Sequence, residues 1–336
     1  IGFVYSNKIG NNTSLRFVNF GFNYHKSKNF NRLFSMGGAL DNMSQSFQLA
    51  QEMERYGLTE SEFNDILDAK NPYTKYWNQL PVLGVMGVRT GVVDWFNDPE
   101  KNIHAPWGWN GFNNNFFSKE TGGISQYDFN VSFNIEDRVY LGATLGVYDV
   151  NYDRYTSYTE NLNDDKGADN GGYTLDNYYR LEGTGMDLKL GVIVRPIESS
   201  PFRLGFAVHT PTWYDLRESY NATLSSDILA YEKPYIQTLS DFLVTPEYDY
   251  LTYDYNLTTP WKFNVSAGTT FAGAVAVGAE YEYQDYSSSK LKDVDGYELG
   301  DQPSVENYLK GVHTFRIGME TRIIPCLLYT SPSPRD

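Results

Sequence analysis

The chain has 336 residues, enough for one large domain or two ordinary ones, and 27 Lys and Arg against 42 Asp and Glu give a formal net charge of −15. So acidic a chain has no surplus cations to neutralise phosphates, which excludes nucleic acid as a general partner. The single cysteine, Cys326, excludes a disulfide framework and a thiolate zinc site, and an aromatic content of 16% indicates a folded protein.

Several segments alternate apolar and polar residues with period two over about 10 to 14 residues, which predicts long β-strands. One face of each strand is apolar and the other polar. In segment 185–195, for example, Leu188 and Leu190 alternate with Asp187 and Lys189. The pattern indicates about nine strands. The clearest segments are 18–24, 127–135, 139–148, 185–195, 202–208, 263–271, 275–283 and 313–323.

Short and long connections alternate between these segments. The short turns are expected at 26–29, 136–137, 198–200 and 272–273, and the long segments at 39–121, 154–182, 218–249 and 287–310. Outer-membrane barrels place tight turns on the periplasmic side and long loops outside. We therefore predict an all-β fold over residues 1–325, an antiparallel transmembrane β-barrel with long, partly helical extracellular loops. A soluble β-sandwich is the alternative.

The alternation also predicts which side chains share a face of the barrel. The apolar set should face lipid and the polar set the lumen. The residues assigned to lipid are Val139, Leu141, Leu145, Leu188, Leu190, Phe206 and Val277. The residues assigned to the lumen are Asn130, Thr144, Lys189, His209 and Glu280. Tyrosines near the strand ends fit an aromatic girdle at the membrane interface, with a carbohydrate-binding surface as the alternative.

The long segment 39–121 contains a locally encoded helix near 59–70. Thr59 and Glu62 form a capping box, and Asn71 and Pro72 stop the helix. The later stretch 80–96 is apolar, and Trp107 and Trp109 follow it. These residues either pack within the loop and against the rim, or they offer a surface on which a hydrophobic solute binds.

No constellation of residues indicates catalysis. The four histidines are scattered, no nucleophile motif occurs, and the acidic segment 293–296 lacks the flanking ligands of a calcium loop. An enzyme would need a nucleophile, a base and an orienting group at one place. We therefore expect no enzymatic activity, no cofactor and no metal site.

Charged residues on the lumen face are the informative polar groups. A turn centred on Ser199 places Lys189 opposite His209 and Arg195 opposite Arg203. A turn centred on Ala272 pairs Lys262 with Glu282 and Asn264 with Glu280, and Arg316, Glu320 and Arg322 extend the set on the final strand. These charges either solvate and brace the interior, or Lys189, His209 and Arg316 bind an anionic headgroup such as a carboxylate.

Two successive segments carry the resemblance to a known family. A glycine-bearing strand at 183–192 is followed by a strand ending in Thr-Pro at 203–211 and by Asp215 and Leu216. This hairpin resembles one in the FadL/TodX outer-membrane transporters, and segments 259–268, 286–287 and 314–320 are similar to later strands of that family. The resemblance implies a fourteen-stranded barrel with an N-terminal hatch. Against that number, about nine strands imply a fragment incomplete at both ends, and residues 326–336 are expected to be a non-native tail.

The resemblance implies a channel or transporter for hydrophobic small molecules, such as long-chain fatty acids, in the bacterial outer membrane. The expected partners are a hydrophobic or amphiphilic solute and outer-membrane lipid and lipopolysaccharide, and a monomer is expected when full length. An adhesive or structural barrel, or uptake of another ligand such as haem, remains the alternative. The candidate substrate-binding residues are Lys189, His209, Arg316, Trp107 and Trp109.

Overall fold

The computed structural model is built mainly of antiparallel β-sheet, which curls into a half-barrel. It describes residues 1–10, 13–76, 79–98, 100, 103–164, 166–229, 235–239, 244–245, 248–249 and 252–321. The expected tail at 326–336 lies outside the described residues, as does Arg322. Among the described residues, no helix combines the length and the apolar composition needed to cross a membrane.

The described strands are numbered in chain order. They are β1 (Gly2–Lys8), β2 (Leu15–Asn29), β3 (Arg32–Ala39), β4 (Asp94–Asp98), β5 (Ile103–Trp107), β6 (Asn110–Ile135), β7 (Val139–Asn163), β8 (Asp169–Val194), β9 (Arg203–His209), β10 (Trp213–Ser226), β11 (Tyr235–Thr238), β12 (Val244–Thr245), β13 (Tyr248–Asp249), β14 (Thr252–Thr258), β15 (Lys262–Phe271), β16 (Val275–Asp285), β17 (Lys290–Asp293) and β18 (Gly311–Thr321). The pairs β4–β5 and β12–β13 form separate hairpins, and all the other strands belong to the main sheet.

Several neighbouring strands are halves of one pass through the sheet. This is so for β2 with β3, β9 with β10, β14 with β15, and β16 with β17. Counted in this way, the described residues make nine antiparallel passes, with β11 added beside β10, in agreement with the expected number. Two of the breaks contain Pro211 and Pro260, which have no N–H to donate to a neighbouring strand. At these breaks the N–H of Thr212 donates to the hydroxyl of Thr259 at 2.7 Å.

Three strands are much longer than expected. Strands β6, β7 and β8 contain 26, 25 and 26 residues, so segment 154–182 is mostly paired strand and the prediction of a long loop there was wrong. In each of these strands the face that is apolar near the short turn carries polar residues farther along. The apolar residues alone therefore do not show that the strand continues. The expected turn at 26–29 was also wrong, because these residues lie inside β2 at a register shift between Lys26 and Lys28.

Two of the expected turns are confirmed by the backbone. Glu136 and Asp137 have φ of 55° and 57°, and Ala272 and Gly273 have φ of 49° and 65°. Positive φ at successive residues reverses the chain tightly in a hairpin. Ala272 takes this conformation despite its Cβ, at a local cost in backbone strain.

Four helices follow β3 and form what we call the helical insert: α1 (Gln45–Arg55), α2 (Glu60–Asp68), α3 (Pro72–Tyr76) and α4 (Val82–Thr90). A further helix, α5 (Gln302–Tyr308), follows a 3-10 turn at Tyr286–Ser288 and strand β17. The predicted capping box is present, since the Glu62 carboxylate accepts from the Thr59 N–H at 2.9 Å and the Thr59 hydroxyl accepts from the Glu62 N–H at 3.3 Å. The predicted single helix in a loop to residue 121 was incomplete, because four helices and a hairpin lie before β6 begins at Asn110.

The buried core lies between the helical insert and the concave face of the sheet. Helix α4 is apolar apart from Arg89 and Thr90 in its last turn, and six of its nine residues are buried, as expected for a helix surrounded by protein. Gly84 permits close contact with α1, because a Cβ there would lie 2.2 Å from the Met53 sulfur. The main sheet, which we call the wall, contributes Leu162 from β7, Leu175 from β8 and Leu224 from β10 to this core. Segment 80–96 is therefore mainly packing, which is the first of the two alternatives considered for it.

Candidate functional site

The two faces of the sheet exchange polarity part-way along the long strands. We call the end of each long strand that leads to a short turn the turn side, and the opposite end the loop side. On the convex face of β8, the exposed Met186, Leu188 and Leu190 lie on the turn side, whereas Glu182 and Arg180 lie on the loop side. On the concave face the order is reversed. Polar Asp187 and Lys189 lie on the turn side, and the core residues Tyr173 and Leu175 lie on the loop side. One strand therefore meets two different surroundings along its length.

The change occurs at the same register position on neighbouring strands. Five paired residues, which we call the boundary row, mark it: Tyr24, Tyr127, Val147, Met186 and Trp213. The next convex positions toward the loops include Asp149, Thr184 and Asp215, which are paired with one another in the same way. Leu141, Leu145, Leu188, Leu190 and Phe206 are all exposed on the convex face, so their predicted shared face is confirmed and none of them enters a core.

On the turn side of the boundary row, which we describe as below it, Lys189 lies between two carboxylates on the concave face. Its ammonium is 3.0 Å from Asp128 Oδ1 and 3.6 Å from Asp187 Oδ1. Gly146 lies on β7, the strand between the two aspartates, and is paired with both of them. A Cβ at Gly146 would lie 2.3 Å from Asp187 Oδ1. The missing side chain leaves the space in which the ammonium bridges the two acids. The Tyr148 hydroxyl donates to Asp187 Oδ2 at 2.7 Å.

A second group of ion pairs lies across β15, β16 and β18. The guanidinium of Arg316 is 2.6 Å from Glu280 and 3.2 Å from Glu282, and Lys262 is 3.7 Å from Glu282. The expected register was wrong by two residues, because the three-residue turn centres on Gly273 and pairs Lys262 with Gln284. The Lys262–Glu282 contact is therefore diagonal. We call these two groups together the ion-pair network.

The predicted site residues fall in two places. Lys189 and His209 are directly paired, as predicted, and Arg316 lies on the same concave face in the ion-pair network. Trp107 and Trp109 lie at the loop end of the wall beside the helical insert. The Trp109 indole donates to the Gly91 carbonyl at 2.8 Å, and Trp107 packs against Phe47 with ring centres 5.3 Å apart. The two tryptophans do not meet the charged residues.

Arg203 is a concave-face residue that the sequence did not single out as a site. Two adjoining cavities of about 450 and 750 Å³ share five lining residues, Ile193, Arg203, Gly205, Ser266 and Glu280. Arg195, its expected partner in the register, lies beyond the end of β8 and donates to the carbonyls of Asp137 and Glu198. Alternation placed Arg203 on the correct face, but it cannot show which cations are already paired with acids.

Comparisons with protein-family models, with curated proteins and with solved structures found no match for this chain. Among the described residues, no group of three or more His, Cys, Asp or Glu side chains is arranged to hold a metal ion. The inversion of the two faces, the ion-pair network and the two cavities are therefore the observations from which a function is argued.

Proposed function

We propose that the chain forms the wall of an outer-membrane β-barrel that passes hydrophobic or amphiphilic small molecules, such as long-chain fatty acids. The observation that carries this proposal is the exchange of polarity at the boundary row. On the convex face of β8, the side chains from Met186 to Val194 are apolar on the turn side of that row, whereas Thr184, Glu182 and Arg180 are polar on the loop side. A bilayer edge at the boundary row explains this change.

The length of the apolar band supports a membrane location. On β8 the convex residues from Met186 to Val194 are all apolar, and eight steps of a strand extend about 26 Å. The apolar band of an outer-membrane barrel is about 25 Å tall, and a segment of about 26 Å in a strand tilted by about 40° covers about 20 Å of that height. Leu190 and Phe206 are 45% and 49% exposed within this band. A monomeric soluble protein rarely leaves so wide an apolar face in water.

The concave face supports passage of amphiphiles. The ion-pair network gives a polar, nearly charge-balanced surface, and the two cavities lie beside it with glycine, alanine and Ile193 in their walls. A molecule with a polar head and an apolar chain can contact both kinds of surface. The resemblance of the hairpin at 183–216 to the FadL/TodX transporters supports the same class of solute.

An adhesive barrel is the second candidate, and the exposure of Trp107 is the observation that favours it. Trp107 is 43% exposed in the β4–β5 hairpin at the loop end. Against adhesion, the apolar residues of the helical insert pack inward on the concave face. The largest buried side chains of the helical insert, such as Met53, Ile66 and Met86, are therefore not available to contact another cell.

The proposal is tested by measuring lipid contact and uptake together. In a Cys326→Ser background, a fluorophore on Leu190→Cys should be quenched by brominated lipid, whereas one on Tyr178→Cys, on the same face of β8 beyond the boundary row, should not. Proteoliposomes should accumulate labelled oleate faster than protein-free liposomes. Equal quenching at the two positions would contradict the membrane location, and uptake equal to that of empty liposomes would contradict transport.

A further inference from the structure

Four Lys and Arg side chains lie on the concave face of β8, β9, β15 and β18 below the boundary row. Lys189, Lys262 and Arg316 each have a carboxylate oxygen within 4.0 Å. Arg203 differs from them. Within the part of the chain that the structure describes, no carboxylate lies at ion-pair distance from its guanidinium, which sits 6.0 Å from the centre of the Tyr140 ring. Arg203 is thus the cation of this set that remains available to an anion.

A straight row of glycines begins at Arg203. The register pairs Arg203 with Gly268, Gly268 with Gly278, and Gly278 with Gly318. At a spacing of about 4.8 Å between strands, this row extends about 14 Å across the sheet. The absence of side chains leaves a groove, and the cavity of about 450 Å³ lies along it, lined by Gly268, Gly278, Gly318 and Arg203. Arg203 also lines the adjoining cavity of about 750 Å³. Ile193, 43% exposed, gives the groove an apolar contact.

We propose that Arg203 binds the anionic head of a single-chain amphiphile whose tail lies in this glycine groove. The inference rests on the proposed function and names the class of solute. A guanidinium offers a planar pair of donors that matches a carboxylate, and the ring of Tyr140 supports its position. Lys189 is less suited to this role because two aspartates already neutralise it. Arg316 is less suited as well, because Glu280 and Glu282 already pair with its guanidinium.

The head is tested with two probes of equal chain length, laurate and dodecanol, bound to the full chain in lipid nanodiscs. Arg203→Gln should weaken laurate binding by about ten- to a hundredfold and leave dodecanol binding unchanged. Arg203→Lys, which keeps the charge, should lose only part of the affinity for laurate. The matched control is Arg195→Gln, which removes the same charge near the same turn but does not line the cavities, and it should bind laurate like the parent.

The groove is tested with a valine that fills it. A Cβ at Gly278 would lie no closer than 3.9 Å to a neighbouring heavy atom, so Gly278→Val should fold and should weaken laurate and dodecanol binding alike. Gly38→Val is the control, because a Cβ there meets no heavy atom within 4 Å and Gly38 lies in β3, outside the cavities. Circular dichroism should match the parent for all the variants.

The possible results separate this inference from the proposed function. Laurate binding by Arg203→Gln equal to that of the parent would overturn the headgroup assignment, even if oleate uptake is preserved. Unchanged binding of both probes by Gly278→Val would overturn the groove. A parent that binds neither probe and transports no oleate would overturn the proposed function itself.

Discussion

The hydroxyl of Tyr173 donates a 2.7 Å hydrogen bond to the carboxylate of Glu160, and both side chains are almost fully buried. The same oxygen of Glu160 accepts from the Tyr158 hydroxyl at 2.8 Å and from the Gln45 N–H at 3.2 Å. Gln45 is the first residue of α1, so the carboxylate lies where the helix dipole favours negative charge. Burial and the neighbouring carboxylate together raise the pKa of Tyr173. Glu160 therefore joins the helical insert to the wall.

Glu160→Ala should loosen the insert more than the wall. The substitution leaves the buried Tyr173 hydroxyl, the half-buried Tyr158 hydroxyl and a helix N–H without this acceptor, at a cost of about 2 kcal/mol or more. Hydrogen exchange should show faster exchange across residues 45–90, while amides of β7 below the boundary row keep their protection. Glu182→Ala, which removes an exposed carboxylate from β8, is the control. Equal protection of the insert in both variants would show that the helices are held by apolar packing alone.

Alkaline pH should also destabilise the insert and the adjoining wall. Burial is the main reason that the pKa values of Tyr158 and Tyr220 are raised to about 12 from the ordinary value of 10.0. The unfolded chain releases these protons near pH 10, whereas the folded chain holds them to about pH 12. Stability is therefore fully present below about pH 10 and falls as the pH rises through about 12. The urea midpoint measured across this range should decrease, and Tyr158→Phe should make the decrease shallower; a flat midpoint in the parent would rule the effect out.

The sequence was sufficient to assign the faces of strands and some local caps. Period-two alternation alone determines that Leu190 and Lys189 point to opposite sides, and the structure agrees. The helix start at Thr59 follows from the capping box that Thr59 forms with Glu62, three residues later. These features depend on near neighbours, so a single sequence contains them.

The partners of the charged residues could not be predicted in the same way. Asp128 lies 61 residues before Lys189 and reaches it across Gly146 on an intervening strand. That contact depends on side-chain length and on the space over a glycine, neither of which alternation describes. Sequence reasoning chose Lys189 and not Arg203 as a candidate anion-binding cation, and the reverse assignment follows from their distances to carboxylates.

Removing the Lys189 ammonium should destabilise the wall and leave laurate binding nearly unchanged. Lys189→Met leaves Asp128 and Asp187 without their cation, at a cost of about 1–3 kcal/mol, and Asp128→Asn should recover part of this in the double variant. Urea unfolding of the two single variants and the double variant in detergent measures the coupling. Lys166→Met, in an exposed loop, is the control. Additive effects of the two substitutions would show that the 3.0 Å ion pair contributes nothing to stability.

Arginine at Leu190 should be tolerated far less than arginine at Tyr178, although both side chains are exposed on the convex face of β8. Leu190 lies two convex positions below the boundary row, and under the proposed membrane location a charged head there must leave water for the bilayer, at a cost of about 2–4 kcal/mol near the midplane. Tyr178 lies four convex positions above that row among Asp176 and Arg180, where an added guanidinium stays hydrated. Unfolding free energies in phospholipid vesicles, compared with the parent, measure the two costs. In a soluble protein both positions would face water, so equal and small costs would remove the bilayer from the account of the convex face.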